Sequence, residues 1–250
     1  MSSINFCEPD YLITAHVAEF HNAWSSLLLV YMGYIGYRFG DPLNQWKNKL
    51  MFLVLGTIGV GSTMLHSSLS SHGQALDELP MLFMNISIFQ ALLTLKRRHQ
   101  PLKLFYTCLL VAIVQSYIYI RFQKYYYIFL INYISSVVVI VIWTTYLANY
   151  DVVDKTRYQL WISSLFSYVI IGSSLWIVEM NYCDFLLPYY TKFSGLSFHI
   201  LWHVGAGLGT FQIIMFLVYT NLQNIVCKDE MAVVTYHLGI LPICEVKKIS

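Results

Sequence analysis

The sequence predicts an all-α integral membrane protein, a seven-transmembrane-helix bundle with a luminal N-terminus and a cytosolic C-terminus. Three observations carry that expectation. The 250 residues are 57% hydrophobic and 11% charged, with a mean hydropathy of +0.57, against about 25% charged in soluble domains. The apolar residues gather into stretches of about 17–25, the length a helix needs to cross a bilayer. The lysines and arginines fall mainly on alternate connections between those stretches, as the positive-inside rule requires.

The stretches run from 21 to 38, 50 to 67, 79 to 95, 104 to 121, 125 to 148, 158 to 178 and 196 to 220. They are rich in aromatic and β-branched residues, yet far longer than the roughly ten-residue alternating strands of a membrane barrel. The first twenty residues lack the basic start and apolar core of a cleavable signal, so the first span is expected to direct insertion. One set of connections carries Arg38, Lys47, Lys49, Lys96, Arg97, Arg98, Lys103, Lys155 and Arg157, and the C-terminal tail adds Lys228, Lys247 and Lys248. The opposite side has Arg121, Lys124 and Lys192. That asymmetry places the C-terminus in the cytosol. No internal repeat or low-complexity segment interrupts residues 1–250, which read as one membrane domain. The basic residues act as orientation signals, so no nucleic acid partner is expected; no obligate protein partner is evident.

Polar islands inside this apolar chain carry the chemistry. His199 and His203 are an i, i+4 pair, which one helix face brings to one point. Gly61-Ser62-Thr63-Met64-Leu65-His66 and Asp77-Glu78-Leu79-Pro80 lie far upstream. Span two runs outward to His66, span three begins near Asp77 and span seven begins near His199, so all three ends meet the luminal face. Three histidines with one open position are the ligand set of a catalytic zinc, which makes hydroxide available near neutral pH. Asp77 is placed to act as general base and then acid. Ser62, one turn before His66, either donates to an oxyanion or back-bonds to a helix carbonyl. A single intramembrane histidine is often structural, whereas three converging ionisable groups mark a functional site. His72, His99 and His237 read as solvated, and no spacing requires His16 or His21.

Asn5, Glu8, Asp10 and Glu19 form a second cluster. Oxygen ligands at these intervals, with the backbone carbonyl of Phe6, suit a hard cation such as calcium; a merely solvated acidic terminus is the other reading.

The segments Asn5-Phe6-Cys7-Glu8-Pro9-Asp10-Tyr11, Ala18-Glu19-Phe20-His21-Asn22, Gly61-Ser62 to His66, Leu76-Asp77-Glu78-Leu79-Pro80-Met81 and Phe198-His199 to Trp202-His203 together resemble the alkaline ceramidases. These belong to a superfamily of seven-span zinc hydrolases, and the likeness extends from residue 5 to about 242. The resemblance implies zinc on His66, His199 and His203, catalytic assistance from Ser62 and Asp77, and calcium on Asn5, Phe6, Glu8, Asp10 and Glu19. It further implies a luminal disulfide between Cys7 and Cys183, leaving Cys108, Cys227 and Cys244 free. The implied reaction is hydrolysis of ceramide, entering sideways from surrounding membrane lipids, to a sphingoid base and a fatty acid in endoplasmic reticulum or Golgi membranes.

Asn5-Phe6 replaces the family's common Asp-Trp, which exchanges a carboxylate for an amide and is expected to weaken calcium binding. Glu179 stands near the family's buried Asp and is assigned no role. Two other readings share the site: a receptor of the progestin and adiponectin type, whose N-terminus is cytosolic, and a relative that cleaves an ester. A retinal protein is disfavoured because span seven has no lysine for a Schiff base. The sequon Asn85-Ile86-Ser87 lies inside span three and is expected to stay unglycosylated.

Overall fold

A computed structural model of the chain describes residues 1–95, 101–149, 154–227 and 229–248. Lys96, Arg97, Arg98 and Lys228, on which part of the orientation argument rests, and His99 lie outside the described residues. The first five expected spans form α1 (Phe20–Phe39), α2 (Trp46–Ser68), α3 (Ser71–Leu93), α4 (Leu102–Phe122) and α5 (Tyr126–Asn149). The sixth is one helical stretch, Lys155–Lys192, kinked at Tyr182. It is built from α6 (Lys155–Leu165), a π-helical segment (Phe166–Ser173) and α7 (Ser174–Lys192). The seventh is α8 (His199–Ile225).

Among the described residues, α2, α3, α4, α5, the Lys155–Lys192 stretch and α8 are long and apolar enough to cross a membrane. That makes six rather than the expected seven. Helix α1 is the exception because Asn22, Ser25, Ser26 and Arg38 interrupt its apolar run, and it packs beside α2 and α8. Its polar residues face inward: Asn22, Ser25 and Ser26 are fully buried. At the other extreme, α4 buries only Tyr119, and its wide exposed apolar face is suited to lipid. The centre of the bundle is α8, where Phe211, Ile214, Met215 and Phe216 pack with Met51 and Phe52 of α2 without measurable exposure.

Bundles of this kind lack a hydrophobic drive between helices and rely on close backbone approach at small residues. A Cβ on Gly205 would lie 2.4 Å from the Gly172 nitrogen, which seats α8 on the π segment. One on Gly61 would lie 1.9 Å from the Leu76 carbonyl oxygen, so α2 and α3 touch beside Ser62 and Asp77. Gly61→Ala is therefore expected to destabilise the bundle by about 1–3 kcal/mol and to lower activity by separating those two side chains. Thermal inactivation checks this against Gly56→Ala, whose Cβ would find its nearest neighbour at 3.9 Å; equal behaviour of the two variants would refute the steric argument.

The π segment forms where Ser173 donates from its hydroxyl to the Tyr168 carbonyl five residues back, at 2.9 Å. Such segments re-aim side chains within a helix, and here Tyr168 and Ser173 both line an apolar cavity of about 380 Å³.

The N-terminal segment is laid over the end of α2. Ser2 N donates to Leu69 O at 2.8 Å, Ala18 N to Ser67 O at 3.1 Å and Glu19 N to His66 O at 2.9 Å. Cys7 and Cys183 are joined, with Cα atoms 5.5 Å apart, and Cys108, Cys227 and Cys244 are free. The bond ties this segment to α7. Cys183→Ser is expected to lower the midpoint of thermal inactivation, a native disulfide being worth about 2–5 kcal/mol; an unchanged midpoint under reducing conditions would contradict it.

The all-α expectation needs one correction. Residues after α8, read as a plain tail, form an antiparallel hairpin of β1 (Glu230–His237) and β2 (Leu241–Lys248), with His237 opposite Leu241 and Glu230 opposite Lys248. Leu238 and Gly239, at φ 51° and 73°, make the left-handed turn that suits strand twist. One face is held by burial of Ala232 and Cys244 in the same core as α8, and Leu241, on the other face, is buried beside the turn. Burial raises the Cys244 thiol pKa, as expected of an inert structural thiol.

Candidate metal centre

His66 lies in the last turn of α2, His199 opens α8 and His203 follows one turn later. Their ring centroids are 4.7 to 5.1 Å apart, and each offers a ligand atom within 4.8 Å of the others. All three are buried. Among the described residues no other group of three or more His, Cys, Asp or Glu side chains is close enough to hold a metal.

The surrounding hydrogen bonds set the tautomers. Ser25 donates from its hydroxyl to the Asn22 carbonyl at 3.1 Å, so it accepts from His203 Nδ1 at 2.7 Å. Glu19 Oε2 accepts from His66 Nδ1 at 2.5 Å. Both rings therefore carry their proton on Nδ1 and turn the Nε2 lone pair inward, the state a metal ligand needs. His66 Nε2 has no partner, and neither does His199 Nδ1. Orphaned buried nitrogens of this kind are costly, and a cation binding neutral imidazoles satisfies them, so the residues fit a zinc ion. Asn22 Nδ2 donates to Glu19 Oε2 at 3.1 Å and Ser197 to Asn22 Oδ1 at 2.9 Å, which braces the outer ring.

Ser62 Oγ accepts from Ser26 at 2.9 Å and lies 3.3 Å from His203 Nε2. Its hydroxyl thus faces the centre rather than a carbonyl of its own helix. Asp77 is half-buried and shares a cavity lining with Ser62 and His203. It also lines a larger cavity of about 380 Å³, with Phe6, Glu78 and His199 at its polar end and residues of α5 such as Leu130, Val138 and Ile142 along its apolar length.

The second expected ligand set is divided. Glu8 and Glu19 are buried, while Asn5 and Asp10 are exposed. Glu8 is already engaged as the cap of α1: its Oε1 accepts from His21 N at 2.7 Å and its Oε2 from Asn22 N at 2.8 Å. Glu19 Oε1 has no partner. Burial pushes the Glu8 and Glu19 carboxyls up to about 7, and burial together with the Glu19 charge raises Asp10. Glu8, Asp10 and Glu19 supply oxygen ligands of the type a hard cation takes, but their carboxylates do not converge on one point as the three histidines do. The Phe6 ring packs against His66 and His199 at 4.8 and 4.3 Å, a contact the sequence did not signal.

His21 is used locally, its Nε2 meeting Ser194 O at 2.8 Å and its Nδ1 accepting from Trp24 at 3.1 Å. His16 and His72 are exposed. His237 is not simply solvated, since its Nε2 meets the Tyr31 hydroxyl at 2.9 Å. Asn85 of the sequon donates to Ser136 at 2.7 Å inside the bundle. Sequence reasoning missed Asn22, Ser25 and Ser26, although polar residues at i, i+3 and i+4 in an apolar span were a usable signal.

Three buried histidines, with a serine and an aspartate on a common cavity, define a candidate hydrolytic metal centre in a helical bundle. The profile of the Ceramidase family matches residues 1–246, so the chain belongs to the ceramidase family and is a hydrolase. It is 26% identical to alkaline ceramidase 3 of Mus musculus over 229 residues, covering 88% of this chain and 84% of that one. It is 24% identical to an alkaline ceramidase of Arabidopsis thaliana over 256 residues, with 99% and 93% covered. It is also 24% identical to alkaline ceramidase YPC1 of Saccharomyces cerevisiae over 265 residues, with 92% and 80% covered.

Proposed function

We propose that the chain is an intramembrane zinc-dependent amidase that hydrolyses ceramide to a sphingoid base and a free fatty acid. The observation that carries this reading is the inward lone pair on His66 Nε2 and His203 Nε2, fixed by Glu19 and Ser25, beside a mainly apolar cavity of about 380 Å³. His66, His199 and His203 hold the metal. Zinc bound there polarises a carbonyl and lowers the pKa of water toward about 7.

The protein's own groups do the rest. Asp77 takes a proton from the attacking water as the C–O bond forms and returns it to the amine nitrogen as the C–N bond breaks. Ser62 donates to His203 Nε2 in this structure; with that nitrogen bound to a metal, its proton is free for the oxyanion of the intermediate. Ile134, Val138 and Ile142 of α5 line the cavity and are also exposed on the outside of the bundle, so a chain enters beside α5, and the apolar lining excludes water from the amide.

The orientation follows from charge. The site lies at the end of α2 and the start of α8, away from Arg38 and Lys49, so the N-terminus and the metal face away from the cytosol; the family likeness supports endoplasmic reticulum or Golgi membranes as the location. Calcium held by Glu8, Glu19, Asp10 and Asn5, with the Phe6 carbonyl, neutralises the acidic cluster behind His66. Chelating calcium is expected to lower activity, and Glu19→Ala to remove that sensitivity. Because Glu19 also orients His66, the same variant is expected to weaken zinc binding about 10–100-fold; calorimetric zinc titration with an unchanged affinity would overturn that role.

The direct test is turnover of a ceramide panel and an ester lipid by purified protein, with zinc measured on the same sample. Fatty acid released from ceramide, with about one zinc per chain, supports the reading. Stoichiometric zinc with ester cleavage alone would replace it by the esterase reading.

A further inference from the structure

The β1–β2 hairpin is placed against the bundle at a specific depth. Its tip strand residue His237 meets the hydroxyl of Tyr31 on α1 at 2.9 Å, with ring centroids 6.4 Å apart. Tyr31 stands eight residues before the end of α1 at Phe39, which at 1.5 Å per residue is about 12 Å inside the helix terminus. The hairpin therefore reaches back along α1 instead of extending into the cytosol beyond it.

The packed body of the hairpin and its tip differ. Ala232, Leu241 and Cys244 are buried against the core, whereas Tyr236, Leu238 and Ile240 at the tip are 57%, 74% and 61% exposed. A soluble hairpin turn is ordinarily built from polar residues. Here the apolar tip continues the exposed stripe of α1, formed by Leu27, Tyr31 and Tyr34. The same end carries a belt of aromatic and basic residues, with Arg38 over the Phe39 ring at 5.7 Å and Lys49 over the Tyr37 ring at 5.0 Å. Such belts sit at headgroup level, where aromatic rings and cations are both accommodated.

We propose that this hairpin is a membrane-interface anchor. Its tip, Tyr236 with Leu238 and Ile240, lies in the upper acyl region of the cytosolic leaflet beside α1, below the belt of Arg38 and Lys49, and its buried face packs on α8 and α1. The partner is the lipid surface itself, with Arg38 and Lys49 facing its anionic headgroups. The inference rests on the membrane-spanning reading and is independent of ceramide hydrolysis.

The experiment uses full-length protein in anionic liposomes, in a Cys108→Ser, Cys227→Ser background. Leu238→Cys and Ile240→Cys are each labelled with an environment-sensitive fluorophore. Lys247→Cys serves as the aqueous reference and Ile142→Cys on α5 as the lipid reference. The tip labels are expected to emit to the blue of the Lys247 label. They should be quenched more by a nitroxide on the upper acyl chain than by one near the bilayer centre, and protected from a water-soluble quencher. Tip labels that match Lys247 while Ile142 is lipid-quenched would overturn the anchor alone. An Ile142 label that is itself water-exposed would overturn the spanning reading and the anchor with it.

Discussion

His203→Ala is expected to leave the protein without detectable bound zinc and to lower ceramide turnover by at least about 10³-fold. The magnitude follows from losing several kcal/mol of transition-state charge stabilisation, each 1.36 kcal/mol being about tenfold in rate. The physical reason is local. His203 is buried, and two hydroxyls, Ser25 and Ser62, are arranged around its two ring nitrogens. Removing the ring deletes one ligand and strands those hydroxyls, at about 1–3 kcal/mol for each buried group left unpaired. Some loss of stability is therefore expected, and the test includes helix content and elution behaviour beside zinc content and turnover. A helical, monodisperse variant that lacks zinc and activity identifies the ligand. One that keeps stoichiometric zinc and turnover would remove His203 from the site.

Asp77→Asn is expected to separate metal binding from proton transfer. The side chain keeps its shape but can no longer accept a proton, so kcat should fall by about 10²–10⁴-fold. Zinc content should stay near that of the unaltered protein. Asp77 lines the cavity of about 380 Å³ and is not one of the three converging histidines. KM should change little if the residue acts mainly in the transition state. Ser62→Ala should cost about 10²–10³-fold if its hydroxyl supports the oxyanion. A zinc-free Asp77→Asn variant would show that the carboxylate helps hold the metal, and full activity would end its role as base.

Much of the fold was legible because the signals are local. Apolar runs of bilayer length predicted α1, α2, α4, α5 and α8 within a few residues, while the sixth helical stretch runs fourteen residues past its expected end at 178, and the i, i+4 spacing of His199 and His203 predicted two rings on one helix face. Pairing these with His66 needed only the argument that alternate span ends share a side. The misses are as instructive. Helix α3 begins at Ser71, eight residues before its expected start, because Ser70 caps it by accepting from Gly73 N at 3.0 Å. The hairpin was hidden because Leu238-Gly239-Ile240 is a weak turn signal, and its strands are stabilised by burial against α8.

By itself the sequence determined which segments are helical and apolar, which residue types carry the chemistry, and which family the chain resembles, since all of these depend on neighbours in the chain. Tertiary structure decided what those residues meet. It joined Glu19 to His66 and Ser25 to His203 across 47 and 178 residues, set Phe6 on two imidazoles and folded the C-terminal segment against α1. Those contacts depend on backbones approaching at positions such as Gly61 and Gly205, where the absence of a Cβ lets two helices close. Local periodicity cannot report such an approach, because the partner surface is supplied by a distant part of the chain.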